Sequence, residues 1–113
     1  MNRLEVELMA ANLHSKGDTF YHAEMYTTAY VQFTNSIQLF KKRSNKNSSK
    51  EKLKILFAKR SVTCLKMGNY KKCLEDAQCA LKLQEHGDDS LNELIRIRKV
   101  IIEYVLKTDV LVS

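Results

Sequence analysis

The sequence predicts an all-α fold, an array of helical hairpins with about five helices, on three observations. Apolar and small residues recur at helical spacing through most of the chain, strand-type alternation is scarce, and one stretch of the chain is written twice. Residues 13–39 and 57–83 share a plan: two helical turns, a break, then a tyrosine that opens a second helix. With Gly17 set against Ser61, Phe20 aligns with Cys64, Tyr26 with Tyr70, Ala29 with Cys73, Ser36 with Ala80 and Leu39 with Leu83. The chain therefore divides into a first hairpin over 1–42, a basic loop over 43–49, a second hairpin over 50–86 and a capping helix over 88–107.

Each element has a physical reason. Two helices cross closely only where the side chains between them are small, because those side chains set an interaxial distance of about 8–10 Å. Gly17, Ala29 and Ser36 supply that contact in the first hairpin, and Ser61, Cys73 and Ala80 in the second. Phe20, Phe33, Phe57 and Leu74, with the tyrosines, are expected to fill the space between layers. The second hairpin turns at Met67-Gly68-Asn69-Tyr70, where Gly68 can take the left-handed conformation that ends a helix. The equivalent Ala23-Glu24-Met25-Tyr26 has no glycine, so its turn is less well specified.

Between the hairpins, residues 41–50 are polar and basic with no apolar side chain, the composition of a solvated, mobile loop, and Ser48 or Ser49 is a candidate cap for the helix that follows. The last segment opens on Asp88-Asp89-Ser90 and carries apolar residues at Leu91, Leu94, Ile95, Ile97, Val100, Ile101, Tyr104 and Val105, a broad helical face suited to capping the second hairpin. Exposed Ile102, Leu106, Val110, Leu111 and Val112 would instead offer a surface to a partner, a second copy or the rest of a longer protein.

These residues resemble the tetratricopeptide repeat, a helix-turn-helix unit of about 34 residues with the pattern W-x2-L-G-x2-Y…A-x3-F…P. The first copy carries the G-x2-Y part as Gly17-Asp18-Thr19-Phe20, and A-x3-F unaltered as Ala29-Tyr30-Val31-Gln32-Phe33. The second carries it through Arg60-Ser61, Leu65-Lys66-Met67-Gly68-Asn69-Tyr70 and Leu74-Glu75-Asp76-Ala77. The chain departs from the pattern in having no proline and in the 44 residues that separate Ala29 from Cys73. It also offers two units plus a helix, where about three units are usual for stability. The resemblance implies a right-handed array whose first helices line a concave groove for an extended peptide or a partner's helix.

On that reading the groove stripe of the first hairpin is Ala11, Ser15, Asp18 and His22, flanked by His14 and Tyr21. The stripe of the second is Ile55, Lys59, Val62 and Lys66, flanked by Ala58 and Leu65. Steps of four, three and four keep each set on one helix face. The site residues expected to meet a partner are thus His14, Asp18, Tyr21, His22, Ile55, Lys59, Val62 and Lys66. A sub-class of the family grips the acidic tails of heat-shock chaperones with a lysine and an asparagine on the first helix and an asparagine before the arginine of the second hairpin. Here those places hold His14, Asp18 and Lys59, with Arg96 or Arg98 as the distal basic group; Asp18 would repel a ligand carboxylate by on the order of 1 kcal/mol.

Composition narrows the function classes. Nineteen Lys and Arg against thirteen Asp and Glu give a formal charge of +6. Lys41, Lys42, Arg43, Lys46 and Lys50, continued by Lys52 and Lys54, make a candidate basic patch for phosphates, or equally for an acidic protein. Aromatic residues are not interleaved there for stacking on bases. The three cysteines, Cys64, Cys73 and Cys79, fall at small buried positions without a CxxC pair, as expected of reduced thiols in a cytoplasmic or nuclear protein. The first twelve residues show no secretory signal pattern, and no stretch approaches the ~18 apolar residues of a membrane span. His14, Asp18 and His22 stack along one helix face, where a metal could be shared, though solvated side chains are the expected reading. No phosphate loop and no nucleophile with a partnered base is present, so the expected function is a non-catalytic adaptor or scaffold without cofactor or metal, alone or within a larger protein.

Overall fold

The computed structural model describes residues 2–42, 47–83, 96, 99, 100 and 103. They form four named helices: α1 (Arg3–His22), α2 (Tyr26–Lys41), α3 (Asn47–Lys66) and α4 (Tyr70–Lys82), and no strand occurs among the described residues. Contacts join α1 to α2, α2 to α3 and α3 to α4, so α2 and α3 form the middle of the array. Of the expected capping helix, Arg96, Lys99, Val100 and Glu103 are helical, with Arg96, Val100 and Glu103 exposed; the rest of 88–107 lies outside the described residues, as do Arg98 and the apolar residues from Ile102 onward.

The two hairpins turn in the same way. In the first, the N–H groups of Ala23, Glu24, Met25 and Ala29 donate to the carbonyls of Thr19, Tyr21, Phe20 and Met25. Forty-four residues on, Met67, Gly68, Asn69 and Cys73 donate to Thr63, Leu65, Cys64 and Asn69. Even the hydroxyl of Thr19, bonded to the Ser15 carbonyl, has its counterpart in Thr63 bonded to that of Lys59. Crossed bonds of this kind need one left-handed residue, and Gly68 takes it at φ 78° as its sequence suggests. Glu24 takes the same place at φ 61°. The turn that lacked a glycine therefore has the same geometry, held in a conformation that costs a side-chain-bearing residue about 1–2 kcal/mol.

Caps and starts differ more. Asn2 caps α1, accepting from the Glu5 N–H at 2.9 Å and donating to the Glu5 carboxylate at 3.1 Å. Asn69 caps α4 through the Lys72 N–H, whereas Met25 gives α2 no side-chain cap. Helix α3 begins at Asn47, inside the segment expected to be loop, and Ser49 is a buried helical residue rather than a cap. Composition placed this boundary too late because a polar first helical turn looks like loop until the apolar positions from Leu53 onward begin.

All six small residues expected at the crossings are buried. Two of them add a bond: the Ser36 hydroxyl donates to the Ala10 carbonyl and the Ser61 hydroxyl to the Cys73 carbonyl, each at 2.8 Å. At Gly17 an added Cβ would lie 2.5 Å from the Phe33 ring. The second hairpin exchanges these volumes, with Ser61 at the Gly17 position and Ala77 at the Phe33 position. Phe33, Ile37 and Phe40 of α2 pack against Leu53, Leu56, Phe57 and Ala58 of α3, with Ala10, Ala29, Ala77 and Ala80 completing the core. Phe20 sits at its edge, and Leu74 packs against a second, smaller cluster of Cys64 and Cys73; both are half-buried.

One polar link crosses this core. Arg60 of α3 donates to both oxygens of Asp76 on α4 at 2.8 Å, and to the Thr34 hydroxyl of α2 at 3.2 Å. Its guanidinium lies over the rings of Tyr30 and Phe57, at 5.4 and 5.5 Å. Burial opposes the charge of Arg60, yet the bonds to Asp76 outweigh it and hold its pKa above the ordinary value. Beside the pair, burial and then the Asp76 charge push the Cys64 thiol up to about 12, so it stays protonated and unreactive at neutral pH. Cys64 and Cys73 are fully buried and Cys79 is half-buried; no disulfide joins any two of them.

Two predictions follow from this packing. Gly17→Ser is expected to cost about 1–3 kcal/mol by overpacking and Phe33→Ala about 3–5 kcal/mol. The double variant should lose less than their sum, because Ser61 and Ala77 already show that the exchanged volumes fit; strict additivity in urea unfolding would contradict that. Separately, Asp76→Asn should cost about 3–5 kcal/mol, as expected when a buried guanidinium loses its partner, and a loss under about 1 kcal/mol in the same measurement would contradict the role given to the pair.

Candidate interaction groove

The first helices of the two hairpins meet through three side chains. Lys59 of α3 reaches across to α1 and places Nζ 2.9 Å from both oxygens of Asp18 and 2.7 Å from Nε2 of His14. An ammonium has three donors and no acceptor, so Nε2 of His14 must present a lone pair and the ring proton is assigned to Nδ1. His14 Nε2 also lies 3.6 Å from Asp18, but with Nε2 unprotonated that approach is no ion pair. Burial first, and the Lys59 charge second, lower the His14 pKa below its ordinary value, against an upward pull from Asp18. The imidazole is therefore neutral at pH 7, with its ring edge-on to Phe33 of α2 at 6.1 Å.

This cluster changes the reading of the groove. His14, Asp18 and Lys59 were expected as separate side chains turned to a ligand, and they are bonded to one another instead. The three acceptors match the three Lys59 donors, and the charges of Lys59 and Asp18 cancel. Nζ of Lys59 also sits between His14 and Asp18, where a metal ion shared by those two would have to lie. Among the described residues no group of three His, Cys, Asp or Glu side chains is arranged to hold a metal.

The other expected groove residues surround the cluster. Tyr21 is half-buried and packs edge-on against Tyr26 and His22, at 5.5 and 5.7 Å, while His22 is exposed in the last turn of α1. Ile55 and Val62 are half-buried and Lys66 is exposed. Ala11 and Ser15 are exposed, Leu65 is half-buried and Ala58 is buried in the core. Two members were missed. Leu4 and Leu8, 64% and 61% exposed, continue the Ala11, Ser15, Asp18 stripe toward the start of α1 by the same steps of three and four. The signal was present, since extending the stripe backwards by one step and then another reaches both. The 44-residue correspondence could also have paired the charges, because it sets Lys59 on Ser15, between His14 and Asp18.

Lys41 and Lys42 are exposed at the end of α2 and Lys50 is exposed on α3, while Arg43 and Lys46 lie outside the described residues. Lys41 lies over the Phe57 ring at 5.5 Å and Lys52 over the Phe40 ring at 5.7 Å. Lys54, read as part of the basic run, is 1% exposed and has no acceptor among the described residues; the 44-residue offset sets it on Ala10 of the first hairpin. A cleft of about 500 Å³ at the turn end is lined by Glu24, Met25, Tyr26, Thr27, Thr28 and Met67, none of them a residue of the groove stripe. No described helix is long and apolar enough to cross a membrane.

No protein-family model matches the chain, and no solved structure matches it. The chain is similar to sperm-associated antigen 1 of Rattus norvegicus, with 30% identity over 73 residues. That match covers 65% of this chain and 8% of the rat protein, so the chain spans less than a tenth of the length of this relative.

Proposed function

We propose that this chain is a tetratricopeptide-like interaction module, without catalytic activity, whose α1/α3 face receives a segment of another protein. The observation that carries this reading is the stripe running along α1 from Leu4 and Leu8 through Ala11 and Ser15 to His22, facing Ile55, Val62 and Lys66 of α3 across the Lys59–Asp18 bridge. Exposed leucines at helical spacing are a cost to a chain with nothing to bind, and large apolar residues beside a polar centre are what peptide-binding grooves present. The likeness to a short part of a much longer rat protein supports a unit that also serves inside larger chains.

The groove does not favour the chaperone-tail version of this function. While His14 is neutral, a ligand carboxylate at the centre would meet a lysine whose donors are already taken and an aspartate that repels it. The nucleic-acid version rests on Lys41, Lys42, Arg43, Lys46 and Lys50, of which Arg43 and Lys46 lie outside the described residues, and the lysines over aromatic rings, Lys41 and Lys52, lie over Phe57 and Phe40, which are core residues.

Capture from a lysate with nuclease, comparing the native chain with the Leu8→Glu, Lys66→Glu double variant, tests the reading. Both residues are exposed, so the variant should keep its helicity. The expected result is a protein held by the native chain and lost from the variant. Retention by the variant, or loss on nuclease treatment alone, would contradict it.

A further inference from the structure

Lys52, Lys59 and Lys66 stand seven residues apart along α3, a spacing that lines them up on nearly one face at intervals of about 10 Å. The outer two are exposed, and the middle one is held by Asp18 and His14. The row therefore presents one ammonium with no described partner, Lys66, one that is exposed but lies over the Phe40 ring, Lys52, and one withheld. Acidic side chains of an extended segment, which advances about 3.3 Å per residue, match such a row when they recur about every third residue. The chain's net charge of +6 favours the same partner.

What withholds Lys59 can itself be changed by a proton. The bond from Nζ to Nε2 exists only while Nε2 is a lone pair, and Asp18 already lies 3.6 Å from that nitrogen. The groups that face His14 are Asp18 from its own helix, Lys59 from α3 and the Phe33 ring from α2; no charged side chain of α2 contacts it among the described residues. We propose that the α1/α3 groove takes an acidic protein segment and that protonation of His14 admits it. A proton from solvent on Nε2 breaks the bond from Lys59, draws Asp18 to the imidazolium and frees a Lys59 donor for a carboxylate of the segment. The cluster then changes from neutral to a charge of one positive unit.

This inference rests on the groove reading above and makes it conditional on pH. Because burial and Lys59 oppose protonation, the change falls below the ordinary histidine value of about 6.5. Two measurements on the full chain test it: side-chain NMR of His14 and Lys59 from pH 7.5 to 5.0, and binding of a capped hexa-aspartate peptide, which stays ionised in that range. The Lys59 signals are expected to move with the His14 midpoint, and affinity for the peptide to rise about fivefold toward pH 5.0. His14→Gln, which keeps an acceptor but does not titrate, should abolish the rise, while His22→Gln should keep it. Lys59 signals that ignore the His14 midpoint, or a rise that persists in His14→Gln, would overturn the switch. Lys59 following His14 while peptide affinity stays flat would overturn the acidic partner alone; the groove reading itself fails only if the Leu8→Glu, Lys66→Glu variant retains the captured protein.

Discussion

The bidentate pair of Arg60 and Asp76 is the constraint around which the other helices are arranged. Arg60 belongs to α3, yet its partners lie on α4 through Asp76 and on α2 through Thr34 and Tyr30. A guanidinium and a carboxylate taken from water lose several kcal/mol each of hydration, and only good geometry with further hydrogen bonds makes up that loss. Here both carboxylate oxygens are bonded, a hydroxyl takes another donor, and aromatic rings lie beside the cation. Such a pair tolerates few alternative packings, so it fixes how the second hairpin sits against α2. The small residues at the crossings set the distance between helices; the ion pair sets their register.

Much of this arrangement was readable in the sequence, and the unread parts have common causes. Periodicity and the aligned small residues gave the hairpins, since close helix crossings leave a mark that composition does not blur. Gly68 announced its turn, while Glu24 did not, because the crossed backbone hydrogen bonds of the turn hold a non-glycine residue in a left-handed conformation that its side chain does not signal. The start of α3 was read as loop because polarity describes solvent exposure rather than backbone conformation. Lys54 was counted as a surface charge for a similar reason: the sequence gives its chemistry but not its 1% exposure. Arg60 and Asp76 were visible only as parts of a motif, and their pairing across sixteen residues is a property of the folded chain.

At the groove the face was legible and the chemistry was not. Spacing placed Asp18 and His14 on one stripe and Lys59 on the next, and the structure brings these stripes together. Their meeting turns a presumed set of ligand contacts into an internal bridge, neutral in charge, with its apolar flank at Leu4 and Leu8 and its basic flank at Lys66. The bridge also ties the first helices of the two hairpins directly, which the core contacts through α2 do only indirectly. In physical terms, the donors of Lys59 at the centre of this face are occupied by Asp18 and His14.

Native-state hydrogen exchange across α1 to α4 tests most directly whether the pair joins the hairpins into one unit. The slowest amides of α2, α3 and α4 should open with a common free energy equal to that of global unfolding, with lower values confined to the helix ends. Separate free energies for α1–α2 and α3–α4 would mean that the hairpins open independently, and that the Arg60–Asp76 link does not hold the structure together.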